Sequence, residues 1–177
     1  MSKNILFVGA FNSRKTKNLI GGQLFACESL LESNLSQKYN FIKLCTSQRS
    51  IPPPNILIRI FDALIRILTL LKILMLNKID IVLVFTTSGF GFIEKGLMII
   101  ICKKFNVKTI LFPRSGLMVN DMKNTNFQNY LKYVLKSTNV LITQGESWLD
   151  FYKKYNNNTI IKVQQNWINH KKIPVYK

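Results

Sequence analysis

The sequence predicts an α/β domain, a parallel sheet with helices on both faces. Three observations predict it. Short, continuous apolar runs recur along the chain, as expected of strands covered on both sides. Helix-length segments separate them, and that alternation implies parallel strands joined by right-handed crossovers. The chain has 177 residues, of which 47% are hydrophobic. That is one domain with enough apolar side chains to bury a core.

The elements follow in order. Ile5–Ala10 is the first strand, and a polar loop, Phe11–Ile20, leads through Gly21-Gly22 into a helix over Gln23–Asn34. Tyr39–Cys45 is the second strand. Pro52-Pro53-Pro54 breaks the chain and opens a long helix to about Asn77, since proline is tolerated in a first helical turn. Ile79–Phe85 is the third strand, Thr86–Gly91 a turn and Phe92–Phe105 a helix. Thr109–Phe112 is the fourth strand and Pro113–Asn120 its loop. Asn124–Ser137 is helical, Val140–Thr143 the fifth strand, Glu146–Tyr155 a helix and Thr159–Val163 the sixth strand. The expected domain spans 1–165. Residues 166–177 are expected to begin an interdomain linker, with a second domain absent.

Charge and cysteine usage narrow the function classes. The formal charge is +17, from 25 Lys and Arg against 8 Asp and Glu. Such an excess attracts nucleic acid, anionic headgroups or a phosphorylated substrate. The basic residues are dispersed. Arg14, Lys15 and Lys17 form one small group, and there is no run of five or six like charges, no Cys/His finger and no aromatic RNA-binding motif. Nucleic-acid binding is therefore the minority reading. Cys27, Cys45 and Cys102 are widely spaced and odd in number, which fits reduced thiols in a cytosolic protein. The first apolar run is too short for a signal peptide. The one histidine, His170, lies in the tail, so no Ser-His-Asp or Cys-His constellation and no His/Cys metal cluster can be assembled.

Ile56–Leu76 is strongly apolar but holds Arg59, Asp62, Arg66 and Lys72, which are costly at the centre of a bilayer. These charges, with Thr69, step by three or four residues and share one stripe of a helix. The plainer expectation is a helix whose wide apolar face is largely buried against the sheet. The sharper one is a helix in a membrane interface, with Arg59, Arg66 and Lys72 toward anionic headgroups.

In an open parallel sheet, ligands bind beyond the carboxyl ends of the strands. That edge holds the candidate residues. Gly21-Gly22 opens a helix, where free N–H groups and the helix dipole can receive a phosphate, although a Gly-Gly pair is more often a plain turn. Thr87-Ser88-Gly89 can cap a helix or bond a sugar hydroxyl. Arg114-Ser115-Gly116 offers bidentate recognition of phosphate or carboxylate. Asp121 can act as a base or accept a sugar hydroxyl, against the plainer reading of a loop acid near Lys123. Glu146 either hydrogen-bonds a sugar or compensates a helix N-terminus.

Several segments together resemble the N-terminal domain of family 4 glycosyltransferases, which have the GT-B fold. They are Asn4-Ile-Leu-Phe-Val-Gly-Ala10 with Gly21-Gly-Gln23, Asp80-Ile-Val-Leu-Val-Phe-Thr-Thr-Ser-Gly-Phe-Gly-Phe92, Lys108-Thr-Ile-Leu-Phe-Pro-Arg-Ser-Gly116, Gln144-Gly-Glu-Ser-Trp148 and Val163-Gln-Gln-Asn-Trp-Ile-Asn169. The resemblance implies a Rossmann-like domain that faces a second, donor-binding domain across a cleft. It implies transfer of a sugar from a nucleotide-sugar to a glycan or lipid-linked acceptor in surface polysaccharide or lipopolysaccharide synthesis. Gly21-Gly22 would face the donor diphosphate. Ser88, Arg114, Ser115, Gly116 and Glu146 would border the acceptor, with Asp121 the candidate catalytic residue. Relatives often carry His where this chain reads Pro113-Arg-Ser-Gly116.

The expected protein is thus a truncated or split glycosyltransferase half, inactive alone, at the cytoplasmic face of the membrane. It would bind no cofactor and no metal by itself, and a separate chain would supply the donor domain. The alternatives are a non-catalytic membrane-associated subunit and a nucleotide-binding Rossmann-like protein.

Overall fold

The computed structural model describes residues 2–12, 21–50, 52–156 and 159–167. Six strands form one sheet: β1 (Asn4–Gly9), β2 (Asn40–Cys45), β3 (Ile81–Thr86), β4 (Lys108–Pro113), β5 (Val140–Thr143) and β6 (Ile160–Val163). Every pairing is parallel, and the order is β2-β1-β3-β4-β5-β6. The helices are α1 (Gly22–Leu31), α2 (Leu35–Lys38), α3 (Ile56–Leu76), α4 (Phe90–Lys104), α5 (Met118–Asp121), α6 (Thr125–Lys136) and α7 (Glu146–Lys153). The architecture is α/β and Rossmann-like.

The apolar runs of β1, β3 and β4 are buried because each strand presents side chains to both faces. Leu6, Val8, Val82, Val84, Leu111 and Leu141 join a core with α3, α4, α5, α6 and α7. Ile5, Phe7, Leu83, Phe85 and Phe112 join a second core, in which α1 is the helical layer. Edge-to-face ring contacts run across that second face, Phe7–Phe85 at 4.9 Å and Phe85–Phe112 at 5.0 Å.

The unequal coverage follows from handedness. The chain steps one way from β1 to β2 and the other way at every later crossover. With right-handed connections, α1 falls on one face and α3, α4, α6 and α7 on the other. Beyond α1 the second face holds an apolar groove of about 400 Å³. Trp167 closes its carboxyl end against Phe85 and Phe112.

Several boundaries differ from the sequence expectation. The helix expected over 23–34 ends at Leu31, and a separate turn of helix, α2, follows. The three prolines precede α3 and do not enter its first turn, because Asn55 is the cap and its side chain accepts from Leu57 N at 2.7 Å. The loop after β4 contains α5. The last strand ends at Val163, and Trp167, placed in the expected linker, packs on this domain. Residues 168–177, and with them most of that linker and His170, lie outside the described residues.

The largest correction concerns α3. Its apolar face was expected against the sheet, yet only Ala63 and Leu70 are buried. Leu57, Phe61 and Leu68 are 70%, 61% and 65% exposed. Arg59 and Arg66 turn inward instead, and of the three expected membrane-facing cations only Lys72 is exposed. The cause is position. The helix packs on α4 and on β2, an edge strand, and Ala63, Ile67, Leu70, Ile73 and Leu74 suffice for that seam. Nothing among the described residues lies against its other side.

Gly96 tests the α4–α6 packing. A Cβ there would stand 2.7 Å from both Val134 Cγ2 and Tyr130 Oη. Tyr130 cannot yield freely, because its hydroxyl donates to Ile93 O at 2.6 Å. Gly96→Ala gains about 1 kcal/mol of helix propensity. Overpacking costs about 1–3 kcal/mol. The expected result is a net loss of stability in urea unfolding, and a gain would disprove this packing.

Candidate functional site

The strand order reverses at β1, whose neighbours β2 and β3 are reached by connections on opposite faces of the sheet. Such a switch point opens a crevice beyond the carboxyl ends of the strands. The crevice here is a cavity of about 310 Å³. Ala10 after β1, Thr46–Arg49 after β2 and Thr87-Ser88 after β3 form its floor and rim. Three helices close the sides, with Gly21 and Gln23 at the start of α1, Arg59, Asp62 and Arg66 from the first half and middle of α3, and Phe90, Glu94 and Lys95 from the start of α4.

Charged groups order this cavity. Arg66 makes a bidentate pair with Glu94, Nε to Oε1 at 2.5 Å and Nη2 to Oε2 at 3.0 Å. Both partners are largely withdrawn from solvent, so the pair is costly to break. Arg49 makes a second bidentate pair with Asp62, with Nε to Oδ2 at 2.8 Å. Arg59 has no carboxylate partner among the described residues and lies 4.7 Å over the Phe90 ring. Lys95 is only 4% exposed. It makes no hydrogen bond or close ion pair among the described residues, and burial pushes its ammonium below the usual lysine range. Gln23 Nε2 is also buried without a partner among the described residues.

Two helix N-termini point at the same space. α1 begins after Gly21, which gives no side-chain cap. Its first N–H groups therefore lack intrahelical acceptors. α4 begins after Gly89, whose φ of +57° favours glycine.

The structure gathers some of the expected site residues and separates others. Gly21, Ser88, Arg59 and Arg66 line the cavity, and Gly22 is the first residue of α1. Ser115 reaches the rim through a hydrogen bond to Ser88 Oγ at 3.2 Å. Arg114 turns to the other face. Its guanidinium lies 4.9 Å from the Phe112 ring and 5.0 Å from Trp167, and Nη1 is buried without a partner among the described residues. Gly116 is exposed and Glu146 is an exposed first residue of α7, and neither lines the cavity. Arg14, Lys15 and Lys17 lie outside the described residues.

Asp121 was expected as a candidate base or sugar ligand. Its Oδ2 instead accepts the Gly89 N–H at 2.6 Å and pins the turn that starts α4. Cys27 and Cys102 are free and buried, and burial pushes both thiols up to about 12.

Sequence reading missed Lys95, Glu94 and the segment 46–49. The signal for the first two was present. Glu94-Lys95 is a charged pair inside the apolar helix Phe90-Gly-Phe-Ile-Glu-Lys-Gly-Leu-Met. Charges in such a setting are retained only with partners or a purpose.

No protein-family model matches this chain, and no curated protein matches it.

The Asp121 contact is testable. Asp121→Ala leaves Gly89 N without its acceptor and is expected to cost about 1.5–3 kcal/mol, the usual worth of a hydrogen bond to a charged group. Urea unfolding measures it, and an unchanged midpoint would refute the role of this contact.

Proposed function

We propose that this domain is the acceptor-binding half of a glycosyltransferase. The enzyme would move a sugar from a nucleotide-sugar to a glycan or lipid-linked acceptor in surface polysaccharide or lipopolysaccharide synthesis. The observation that carries this reading is the polar cleft at the switch point. Thr46, Ser47, Thr87, Ser88, Gln23 and Gln48 give it hydroxyl and amide groups suited to a polyol. The resemblance of the segments around Gly21, Ser88 and Ser115 to acceptor-side glycosyltransferase domains supports it. A donor domain, on this polypeptide or another, would supply the nucleotide-sugar site. Catalysis would then rest on holding the acceptor hydroxyl against the donor. Asp121 is not needed as a base in this scheme.

Saturation-transfer NMR with mono- and oligosaccharides and with nucleotide-sugars tests the reading. Saccharides are expected to bind and to be weakened by Ser88→Ala, with no transfer until a donor domain is added. Tight nucleotide binding without saccharide binding would replace this function with that of a nucleotide-binding Rossmann-like protein.

A membrane position belongs to the same proposal, at the cytoplasmic face. Among the described residues no helix is long and apolar enough to cross a membrane. The observation in favour is the outward face of α3, where Leu57, Phe61, Leu64, Leu68, Met75 and Leu76 are exposed together. Such a face inserts shallowly among headgroups and acyl chains. Since Arg59 and Arg66 face inward, attachment should be apolar in origin. Sedimentation with anionic vesicles is expected to persist at high salt and to be lost in the double variant Phe61→Ser, Leu68→Ser. Binding abolished by salt alone would show that the basic surface, not α3, makes the contact.

A further inference from the structure

We infer that the ligand of the switch-point cleft carries an oxyanion, a phosphate or a carboxylate, and that Lys95 and Arg59 hold it. For the identity of that ligand the inference rests on the acceptor-site reading. The oxyanion contact stands on the geometry alone.

The charges of the cavity do not balance internally. Among the described residues its lining has four cations, Arg49, Arg59, Arg66 and Lys95, against two carboxylates, Asp62 and Glu94. Both carboxylates are used in bidentate pairs. Two positive charges, on Arg59 and Lys95, are left over. Arg59 retains partial compensation from the Phe90 ring. Lys95 has only the through-space attraction of Glu94, whose oxygens are taken by Arg66, although it is almost wholly removed from water.

An unpaired buried ammonium is expensive, and a methionine would fill the same space without that cost. Lysine at this position therefore serves something that enters the cavity. Its Nζ lies 3.9 Å from where a Cβ on Gly91 would stand, which sets the ammonium beside the first turn of α4. The positive end of that helix, partly offset by the Asp121 carboxylate on Gly89 N, reinforces it, as does the start of α1 across the cleft, where Gly21 gives no side-chain cap. Gln23 Nε2, buried and without an acceptor among the described residues, is a further donor to the same space. A neutral sugar would satisfy the amide and the hydroxyls but leave the charge of the ammonium without a counter-charge. A phosphate or carboxylate on the sugar satisfies both.

Isothermal titration of the full chain at fixed ionic strength tests this with inorganic phosphate, glucose 1-phosphate, glucuronate and neutral glucose. At least one anionic sugar is expected to bind at least about tenfold more tightly than glucose, from the usual strength of hydrogen bonds to charged groups. The tighter of the phosphate and carboxylate arms identifies the group. Lys95→Met is expected to remove that preference while the protein stays folded and becomes no less stable. Lys103→Gln, a change at an exposed lysine of α4, should leave it unchanged. Arg59→Gln should weaken the anionic sugar and not glucose, and it is an independent check if Lys95→Met fails to fold. Equal binding of charged and neutral sugars, or anion binding that survives both substitutions, would overturn the inference. Lys95-dependent phosphate binding without sugar transfer in the presence of a donor domain would leave the oxyanion site standing and remove the glycosyltransferase reading. Saccharide binding indifferent to Lys95 would do the reverse.

Discussion

A strand that crosses to a parallel neighbour does so with a right-handed connection, and that constraint sorts every major helix of this domain. Because β2 lies to one side of β1 and all later strands to the other, α1 stands alone on its face with only the short α2 beside it. The same reversal separates the connections leaving β1 and β2, so the carboxyl edge opens between them. The cavity is where the topology puts it, and its wall residues come from the starts of α1 and α4 and from α3.

Convergence of helix starts has an electrostatic consequence. Each contributes unsatisfied N–H groups and the positive end of a dipole. Placing Arg66 and Lys95 among them would be unfavourable without Glu94, which takes both hydrogen bonds of the Arg66 fork. Removing one member of such a buried pair costs about 3–5 kcal/mol. The pair is thus a structural element that fixes α3 against α4 and aims the remaining cations at the cavity.

That attachment explains the unusual exposure of α3. A helix beside an edge strand has one neighbour layer and needs one apolar seam. Ala63, Leu70 and their partly buried neighbours supply it, and the charges near its N-terminus sit over the sheet edge where the cavity is. The remaining leucines, isoleucines and Phe61 have no surface to cover. Exposed apolar patches of this kind mark contact with lipid or protein. The second face of the sheet carries a milder version of the same problem. Its groove is bounded by aromatic rings, which bury one another edge to face and reduce what is left open.

The amino-acid pattern alone determined the element order and the α/β class. Continuous apolar strands, helix-length spacers and proline or asparagine breaks are local signals, read within a few residues of where they act. Those signals placed β5 at Val140–Thr143 without error and found the long helix α3, although its start lies at Ile56 and not at the prolines. They also marked Gly21, Ser88 and Ser115, because loops after strands always lie on the ligand edge of a parallel sheet. Which way a helix faces is not local. The stripe of Arg59, Asp62 and Arg66 was visible, but its direction depended on Glu94 and Arg49, 28 and 13 residues away. Arg114 and Asp121 were likewise visible as loop charges. Only the fold decided that one lies among aromatic rings and the other caps a turn. Lys95 acquired its meaning last. Whether a lysine in an apolar helix is partnered depends on every element packed around it, and only the tertiary structure brings those elements together.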